Sequence, residues 1–153
     1  MKRILFALAL LLLLPPVAAL AAGQMVFTGK FNSGGNEFDF AQYTENTGNR
    51  EKIAVIAIAI KSQRTSVAFD TKEWPRFAAL WRKAHNVHAA TWQPIGAFQE
   101  TGTAEAAVLN VAAGPGVQFT ITGKQGPFTF VLLPGDYPRF DAAVNQMTAW
   151  AAQ

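Results

Sequence analysis

Apolar and polar residues alternate with the two-residue period of a β-strand over the first part of the chain, beginning near Met25. Segments 25–31, 38–43 and 65–69 follow this pattern, with Gly- and Asn-rich turns between the first and second and after the second. Segment 53–60 is apolar on both faces and rich in β-branched residues, which favours a central strand covered on both sides. Its alanines leave a helix as the alternative. Four strands are therefore predicted before residue 70.

The pattern then changes to the period of a helix. Residues of one stripe recur at intervals of three and four: Trp74, Phe77, Trp81, Ala84 and His88. A helix is predicted from Glu73 to just before Trp92, with Pro75 in the first turn, where a missing N–H is harmless. The stripe places His88 in the core or at the helix end.

The second half repeats this order. Strands are predicted over 95–100, 106–112, 117–121 and 128–133, and a second helix begins at Asp136. Its apolar stripe consists of Tyr137, Phe140, Val144, Met147 and Ala151. The predicted fold class is α+β, with two ββββα repeats that form one pseudo-two-fold domain of antiparallel sheets.

A single offset of 63 residues aligns the two halves. The residues that match at this offset are Lys61, Glu73, Trp74, Pro75, Arg76, Phe77 and Ala79, which fall on Lys124, Asp136, Tyr137, Pro138, Arg139, Phe140 and Ala142. A fixed period predicts one supersecondary unit used twice. Repeat one spans about residues 24–90 and repeat two about residues 91–153. We expect each helix to cover the sheet of its own half, with Phe77 and Phe140 buried at corresponding places.

The N-terminal segment has the layout of a secretory signal peptide. Lys2 and Arg3 precede an unbroken apolar run over residues 4–14, and Ala19 and Ala21 supply the small residues of a cleavage site. The run is too short for the roughly 20 residues of a membrane-spanning helix, although an uncleaved anchor is the alternative. We therefore predict a signal peptide over 1–21, export across the inner membrane to the periplasm, and a single globular domain over 22–153.

Removing the signal peptide changes the charge. Two of the 13 Lys and Arg residues lie within it, which leaves 11 against 10 acidic residues, so the net charge falls from +3 to +1. A nucleic-acid-binding protein normally carries a basic face that neutralises phosphates. The chain contains no Cys, which excludes disulfides, thiolate chemistry, Cys-based zinc sites and a lipoprotein anchor.

The tandem β4α order resembles the superfamily of PUR repeats and plant Whirly proteins. Val131-Leu132-Leu133-Pro134 leading to Phe140-Asp141-Ala142-Ala143 is similar to the end of a PUR repeat. The resemblance implies four-stranded sheets that each carry a C-terminal helix, and single-stranded nucleic acid bound on the sheets. This chain departs from the family in its signal peptide, its near-neutral charge and its apolar residues 54–58, where the family has Arg and Lys.

Catalytic motifs give little support to an enzyme. His85 and His88 lie in no recognisable nucleophile motif, and as an i,i+3 pair they lack further metal ligands at a known spacing. Glu73 and Asp136 occupy equivalent helix starts, where a carboxylate meets the positive end of the helix dipole. No phosphate-binding glycine motif is present. We predict no catalytic residues, no metal site and no cofactor.

The candidate binding residues are Arg76, Arg139, Lys61 and Lys124, which occupy equivalent places in the two halves. The alternative for the arginines is structural: each stem packs on an aromatic ring while its guanidinium pairs with an acid. Likewise, Phe38 with Phe40 and Phe128 with Phe130 are stacking platforms for bases or simply core positions.

Three functions follow in order of preference. The first is a non-catalytic exported module that binds a protein or envelope partner. The second is single-stranded nucleic-acid binding on the sheets, supported by the resemblance. The third is a hydrolase with an unrecognised site, which requires a cleft that brings two titratable groups together. The sequence leaves the oligomeric state open.

Overall fold

Along the part of the chain that the structure describes, four strands precede a helix and four further strands precede a second helix. The computed structural model describes residues 23–33, 36–45, 52–60, 63–99, 107–123 and 126–153, and for residues 52–60 it describes the backbone alone. The strands are β1 (Gly23–Ser33), β2 (Asn36–Glu45), β3 (Lys52–Ile60), β4 (Gln63–Asp70), β5 (Gln93–Gln99), β6 (Val108–Ala113), β7 (Val117–Gly123) and β8 (Gly126–Leu132). The helices are α1 (Trp74–His85) and α2 (Tyr137–Ala151). The fold class is α+β, as predicted.

Each run of four strands forms its own antiparallel sheet with neighbours in sequence order. The first sheet has the order β1-β2-β3-β4 and the second β5-β6-β7-β8. Residues 53–60 pair with β2 on one side and with β4 on the other. The helical alternative for this segment is therefore wrong, because the β-branched residues and the central position favour a strand despite the alanines.

Helix α1 is shorter than its apolar stripe predicts. It ends at His85, where the Asn86 side chain donates to the carbonyl of Arg82 at 2.8 Å and the Val87 N–H turns back to the carbonyl of Ala84. These local bonds compete with further helix, as asparagine side chains often do. His88 consequently lies beyond the helix and is exposed. The core prediction for His88 is wrong, because Val87 packs against the core instead.

Helix α2 begins after a short 3-10 turn over Pro134–Asp136. The N–H of Asp136 bonds to the carbonyl of Leu133, and a proline again occupies the first turn of the helix. The predicted stripe is buried at Tyr137, Phe140, Val144 and Met147. In each helix one further alanine, Ala78 or Ala143, is also buried, because a small side chain lets a neighbouring element approach closely.

The backbone of each helix packs on the sheet of the other half. Helix α1 lies against β5 and β6, and α2 lies against β1 and β3. A Cβ added at Gly96 of β5 would lie 2.6 Å from Cδ2 of Leu80, and one added at Gly29 of β1 would lie 3.2 Å from Cβ of Ala143. The expectation that each helix covers only its own sheet is therefore wrong.

The reason lies in β1 and β5 themselves. Both strands carry an irregularity one residue before the glycine, between Phe27 and Gly29 in β1 and between Pro94 and Gly96 in β5. A β-bulge followed by glycine bends an edge strand and leaves room for a close backbone approach. Each helix occupies that room on the opposite sheet.

One hydrophobic cluster joins both sheets and both helices. Phe140 of α2 lies 4.9 Å from Phe40 of β2, 5.5 Å from Phe119 of β7 and 4.4 Å from Trp81 of α1, measured between ring centroids. Phe69 of β4 lies 4.4 Å from Phe98 of β5. The apolar surfaces of the two halves are therefore buried against each other.

Candidate functional site

The two helices lie side by side and antiparallel, and polar side chains line the seam between them. At one end the indole Nε1 of Trp74 donates to Oγ1 of Thr148 at 2.9 Å, and at the other end the rings of His85 and Tyr137 lie 5.0 Å apart. Thr148 in turn donates to the carbonyl of Val144. The start of each helix thus contacts the end of the other.

The middle of the seam holds a titratable group that the sequence did not single out. Asp141 of α2 accepts a 2.6 Å hydrogen bond from the indole Nε1 of Trp81, and its other oxygen lies 3.6 Å from Nδ1 of His85. The His85 ring is stacked on Trp81 with centroids 5.4 Å apart. No sequence spacing reveals this pair, because its residues come from different helices that are distant in the sequence.

A histidine beside a carboxylate is the arrangement that orients a general base in many hydrolases. Here the carboxylate also binds the indole of a buried tryptophan, and the imidazole lies between Trp81 and Tyr137. Each of these contacts either joins α1 to α2 or lies within α1. The cluster therefore has a structural explanation as a link between the helices.

Tyr137 lies at the buried side of this cluster. Its ring lies 5.3 Å from that of Trp81 in an edge-to-face arrangement. Burial raises the pKa of the Tyr137 phenol above its ordinary value, because desolvation disfavours the phenolate. The phenol is consequently neutral at physiological pH.

Arg139, one of the predicted binding residues, lies over the first sheet. Its guanidinium is 5.2 Å from the ring centre of Phe31, and Nη2 donates to the carbonyl of Lys30 in β1 at 3.1 Å. Nη1 lies 3.8 Å from Oδ1 of Asp136. These contacts agree with the structural alternative for this residue, with the addition of a bond that caps the backbone of an edge strand.

Arg76 makes the corresponding contact with the second sheet. Its guanidinium lies 5.8 Å from the ring centre of Phe98 in β5. Two turns further along α1, Nζ of Lys83 donates to the carbonyl of Ile95 in the same edge strand at 3.2 Å. Arg76 and Arg139 therefore lie over different sheets. The other two predicted binding residues, Lys61 and Lys124, lie outside the described residues.

The predicted aromatic platforms prove to be part of the core where the structure describes them. Phe40, Phe128 and Phe130 are buried, so their faces are closed to a nucleic-acid base. The side chain of Phe38 lies outside the described residues. The core interpretation of these positions is confirmed for the three described rings.

The outward face of the second sheet carries small, amide and hydroxyl side chains. Its described members are Ala97, Gln99, Val108, Asn110, Ala112, Gln118, Thr120, Thr122, Thr129 and Val131. Thr120 and Thr129 share a hydrogen bond of 3.0 Å across β7 and β8. None of these ten residues is charged, so this face offers no cation to a phosphate.

The exposed faces of the two helices differ in charge. On α1 the exposed residues include Arg76, Arg82 and Lys83, whereas on α2 the positions equivalent to the last two are Asn145 and Gln146. No acidic residue lies between Trp74 and His85 in the sequence. The solvent face of α1 is therefore basic, and we call Arg76, Arg82 and Lys83 the α1 basic face.

An exposed tryptophan follows this helix. Three large apolar side chains are exposed among the described residues, and the aromatic one is Trp92, with 42% of its surface accessible. Trp92 ends the loop between α1 and β5. The backbone of Thr91 and Trp92 lies directly over Gly114, where an added Cβ would be 2.9 Å from the Thr91 carbonyl oxygen. This close approach holds the loop against the second sheet.

Two further properties concern the described residues alone. No group of three or more His, Asp or Glu side chains there is arranged to hold a metal ion. Neither α1 nor α2 is long and apolar enough to cross a membrane. The predicted signal peptide over 1–21 lies outside the described part of the chain.

Comparison of the chain with models of known protein families gave no match, and comparison with curated proteins gave none either.

Proposed function

We propose that the protein is an exported, non-catalytic binding module whose partner belongs to the cell envelope, either a protein or another envelope component. The observation that carries this proposal is the α1 basic face, which is exposed on a helix without acidic residues. A charged face of this kind binds at a surface and needs no cleft. Export follows from the N-terminal segment, whose basic start, apolar run and small residues fit a signal peptide.

We also propose that the two halves are copies of one unit related by pseudo-two-fold symmetry. The support comes from reciprocal packing. Arg76 lies over Phe98 and Arg139 over Phe31, and each arginine belongs to the half opposite its ring. The glycine that admits each helix, Gly96 or Gly29, lies two residues before that ring in the strand.

A hydrolase is the less favoured function. Its best support is the pair formed by His85 and Asp141, which brings two titratable groups close together at a half-exposed position. The pair already has structural partners in Trp81 and Tyr137. A hydrolytic activity that His85→Ala abolishes, while circular dichroism shows an intact fold, would make the protein an enzyme and overturn the proposal.

Single-stranded nucleic-acid binding is not favoured by any contact of the described residues. Binding on a sheet requires cations for phosphates and exposed rings for bases. The described outward face of the second sheet is uncharged, and Phe128 and Phe130 face the core.

The decisive experiment is capture of envelope components by the processed protein. Immobilised wild-type protein is compared with the charge variant Arg82→Asn/Lys83→Gln, in which α1 receives the residues that α2 carries at the equivalent positions. The matched control is Lys30→Gln/Lys72→Gln, which removes the same charge from two exposed positions outside α1.

We expect the wild type and the control to retain an envelope component that the charge variant releases. Equal capture by all three proteins, or no capture above bare matrix, would contradict a binding function centred on α1. The components retained are then separated into protein and lipid to identify the partner class.

A further inference from the structure

We propose that the partner is an anionic lipid surface, bound by the α1 basic face together with Trp92. This inference rests on the proposed binding function and names its partner. The basic face supplies attraction to negatively charged headgroups, and the indole supplies an anchor at the boundary between headgroups and acyl chains.

The charges of α1 are arranged for a flat partner. Arg76 and Lys83 are seven residues apart, two turns along the helix, and Arg82 neighbours Lys83. Seven residues correspond to about 10 Å along a helix axis. Arg76 and Lys83 therefore follow one flank of α1 over a length that spans more than one lipid headgroup, and Arg82 lies about 100° further round the exposed surface of the helix. Neither the bond from Lys83 to Ile95 nor the packing of Arg76 on Phe98 neutralises its charge.

Trp92 is close in the chain to the strand residue that Lys83 contacts. It precedes Ile95 by three residues, and Ile95 accepts the hydrogen bond from Lys83. Three residues of extended chain span about 10 Å, so the backbone of Trp92 lies within about that distance of the carbonyl that Lys83 contacts. A tryptophan ring prefers the membrane interface, because its apolar body and its N–H suit the two sides of that boundary.

The same cations could attract a nucleic acid, but the surroundings favour lipid. Nucleic acid bound without sequence specificity uses a groove with several stacked rings. Here the cations lie on the convex, exposed surface of a helix, and Trp92 is the aromatic residue among the exposed large apolar side chains of the described residues. The described outward face of the second sheet, which is opposite the side that contacts α1, is uncharged.

The test uses protein purified from a periplasmic extract. Mass spectrometry determines the N-terminal residue, so that only variants with the same N-terminus are compared. Sedimentation with vesicles of phosphatidylcholine alone is compared with vesicles that contain phosphatidylglycerol. Each cation near an anionic surface contributes about fivefold to binding. Arg82→Asn/Lys83→Gln should therefore lower partitioning into the anionic vesicles by about 30-fold, and 0.5 M salt should abolish most of it.

Three further variants separate this interface from bulk charge. Lys30→Gln/Lys72→Gln removes the same net charge from exposed positions outside α1 and should bind nearly as the wild type does. Asn145→Arg/Gln146→Lys places the same cations on α2 and should restore little binding to the α1 charge variant, because Trp92 precedes by three residues the strand position that Lys83 of α1 contacts. Trp92→Ala should weaken binding to anionic vesicles while leaving the salt dependence unchanged.

The outcomes are distinct. Equal loss in the two charge-removal variants would overturn the inference, since binding would then follow net charge. Tighter binding to a labelled single-stranded oligonucleotide than to anionic vesicles would overturn it in favour of nucleic acid. Failure to bind either vesicle, with a protein still captured from the envelope through α1, would overturn the lipid partner and leave the proposed binding function standing.

Discussion

Truncating Phe140 to alanine should be the most damaging single change to the stability of this fold. The Phe140 ring is buried and contacts rings from four other elements. Its neighbours are Trp81 at 4.4 Å, Phe40 at 4.9 Å, and Phe31 and Phe119 at 5.5 Å each. Phe31 and Phe40 belong to the first sheet and Phe119 to the second, so the ring fills the space where the two sheets and both helices meet.

The expected loss can be estimated from these contacts. Replacing a buried phenylalanine by alanine costs about 3–5 kcal/mol, depending on how far the cavity collapses. The neighbours of Phe140 are rigid rings held on separate elements, so collapse is restricted, and aromatic pairs add about 0.5–1.5 kcal/mol each. We therefore expect a loss near the upper end, about 4–5 kcal/mol, from a total of about 5–15 kcal/mol.

The measurement is denaturant unfolding of the processed protein. Tryptophan fluorescence and far-ultraviolet circular dichroism monitor the same transition in parallel. Both signals should shift together to a lower midpoint with an unchanged slope, because the ring stabilises both sheets at once. Phe140→Leu retains most of the volume and should lose only about 1–2 kcal/mol. A loss below about 2 kcal/mol for Phe140→Ala, or two separate transitions, would refute the shared core.

Three other predictions each concern a single feature of the molecule. Asp141→Ala should cost about 1–3 kcal/mol by leaving the Trp81 indole without its acceptor, whereas Asp141→Asn retains an acceptor and should lose less, as denaturant midpoints will show. Because the pKa of Tyr137 is raised in the folded protein, its contribution to stability is complete below the ordinary phenol pKa of about 10 and is lost as the pH rises through the higher folded value. When unfolding is measured from pH 8 to 12, the free energy of unfolding should therefore decline less for Tyr137→Phe than for the wild type. Cleavage after Ala21 should appear in the mass of the exported protein, and secreted protein beginning at Met1 would contradict the signal peptide.

The order of strands and helices was predictable because hydrophobic periodicity is a local property. Alternation indicated the strands, and the stripe that includes Phe77 and Trp81 indicated α1. The end of α1 was missed because His88 continues the stripe in sequence, while Asn86 ends the helix through its own side chain. Periodicity alone cannot weigh such a local hydrogen bond against one further helical turn.

The placement of the helices could not be predicted in this way. Sequence proximity suggests that a helix covers the sheet it follows, yet Leu80 lies over Gly96 and Ala143 over Gly29. The glycines were visible in the sequence, but their significance depends on the bulges beside them, which appear only once the strands pair. The same limit applies to the contact between His85 and Asp141, which joins two helices that are distant in sequence.

The match between the two halves of the sequence directed attention to residues that stabilise the fold. The arginine shared by both halves, Arg76 or Arg139, lies over an aromatic ring of the opposite half. Packing therefore accounts for its presence in both halves. When the halves are aligned, Arg82 and Lys83 instead correspond to Asn145 and Gln146. The packing common to both halves therefore does not require their charge. A surface that differs between the two halves is where a function specific to one half can arise, and here that difference is the positive charge of α1.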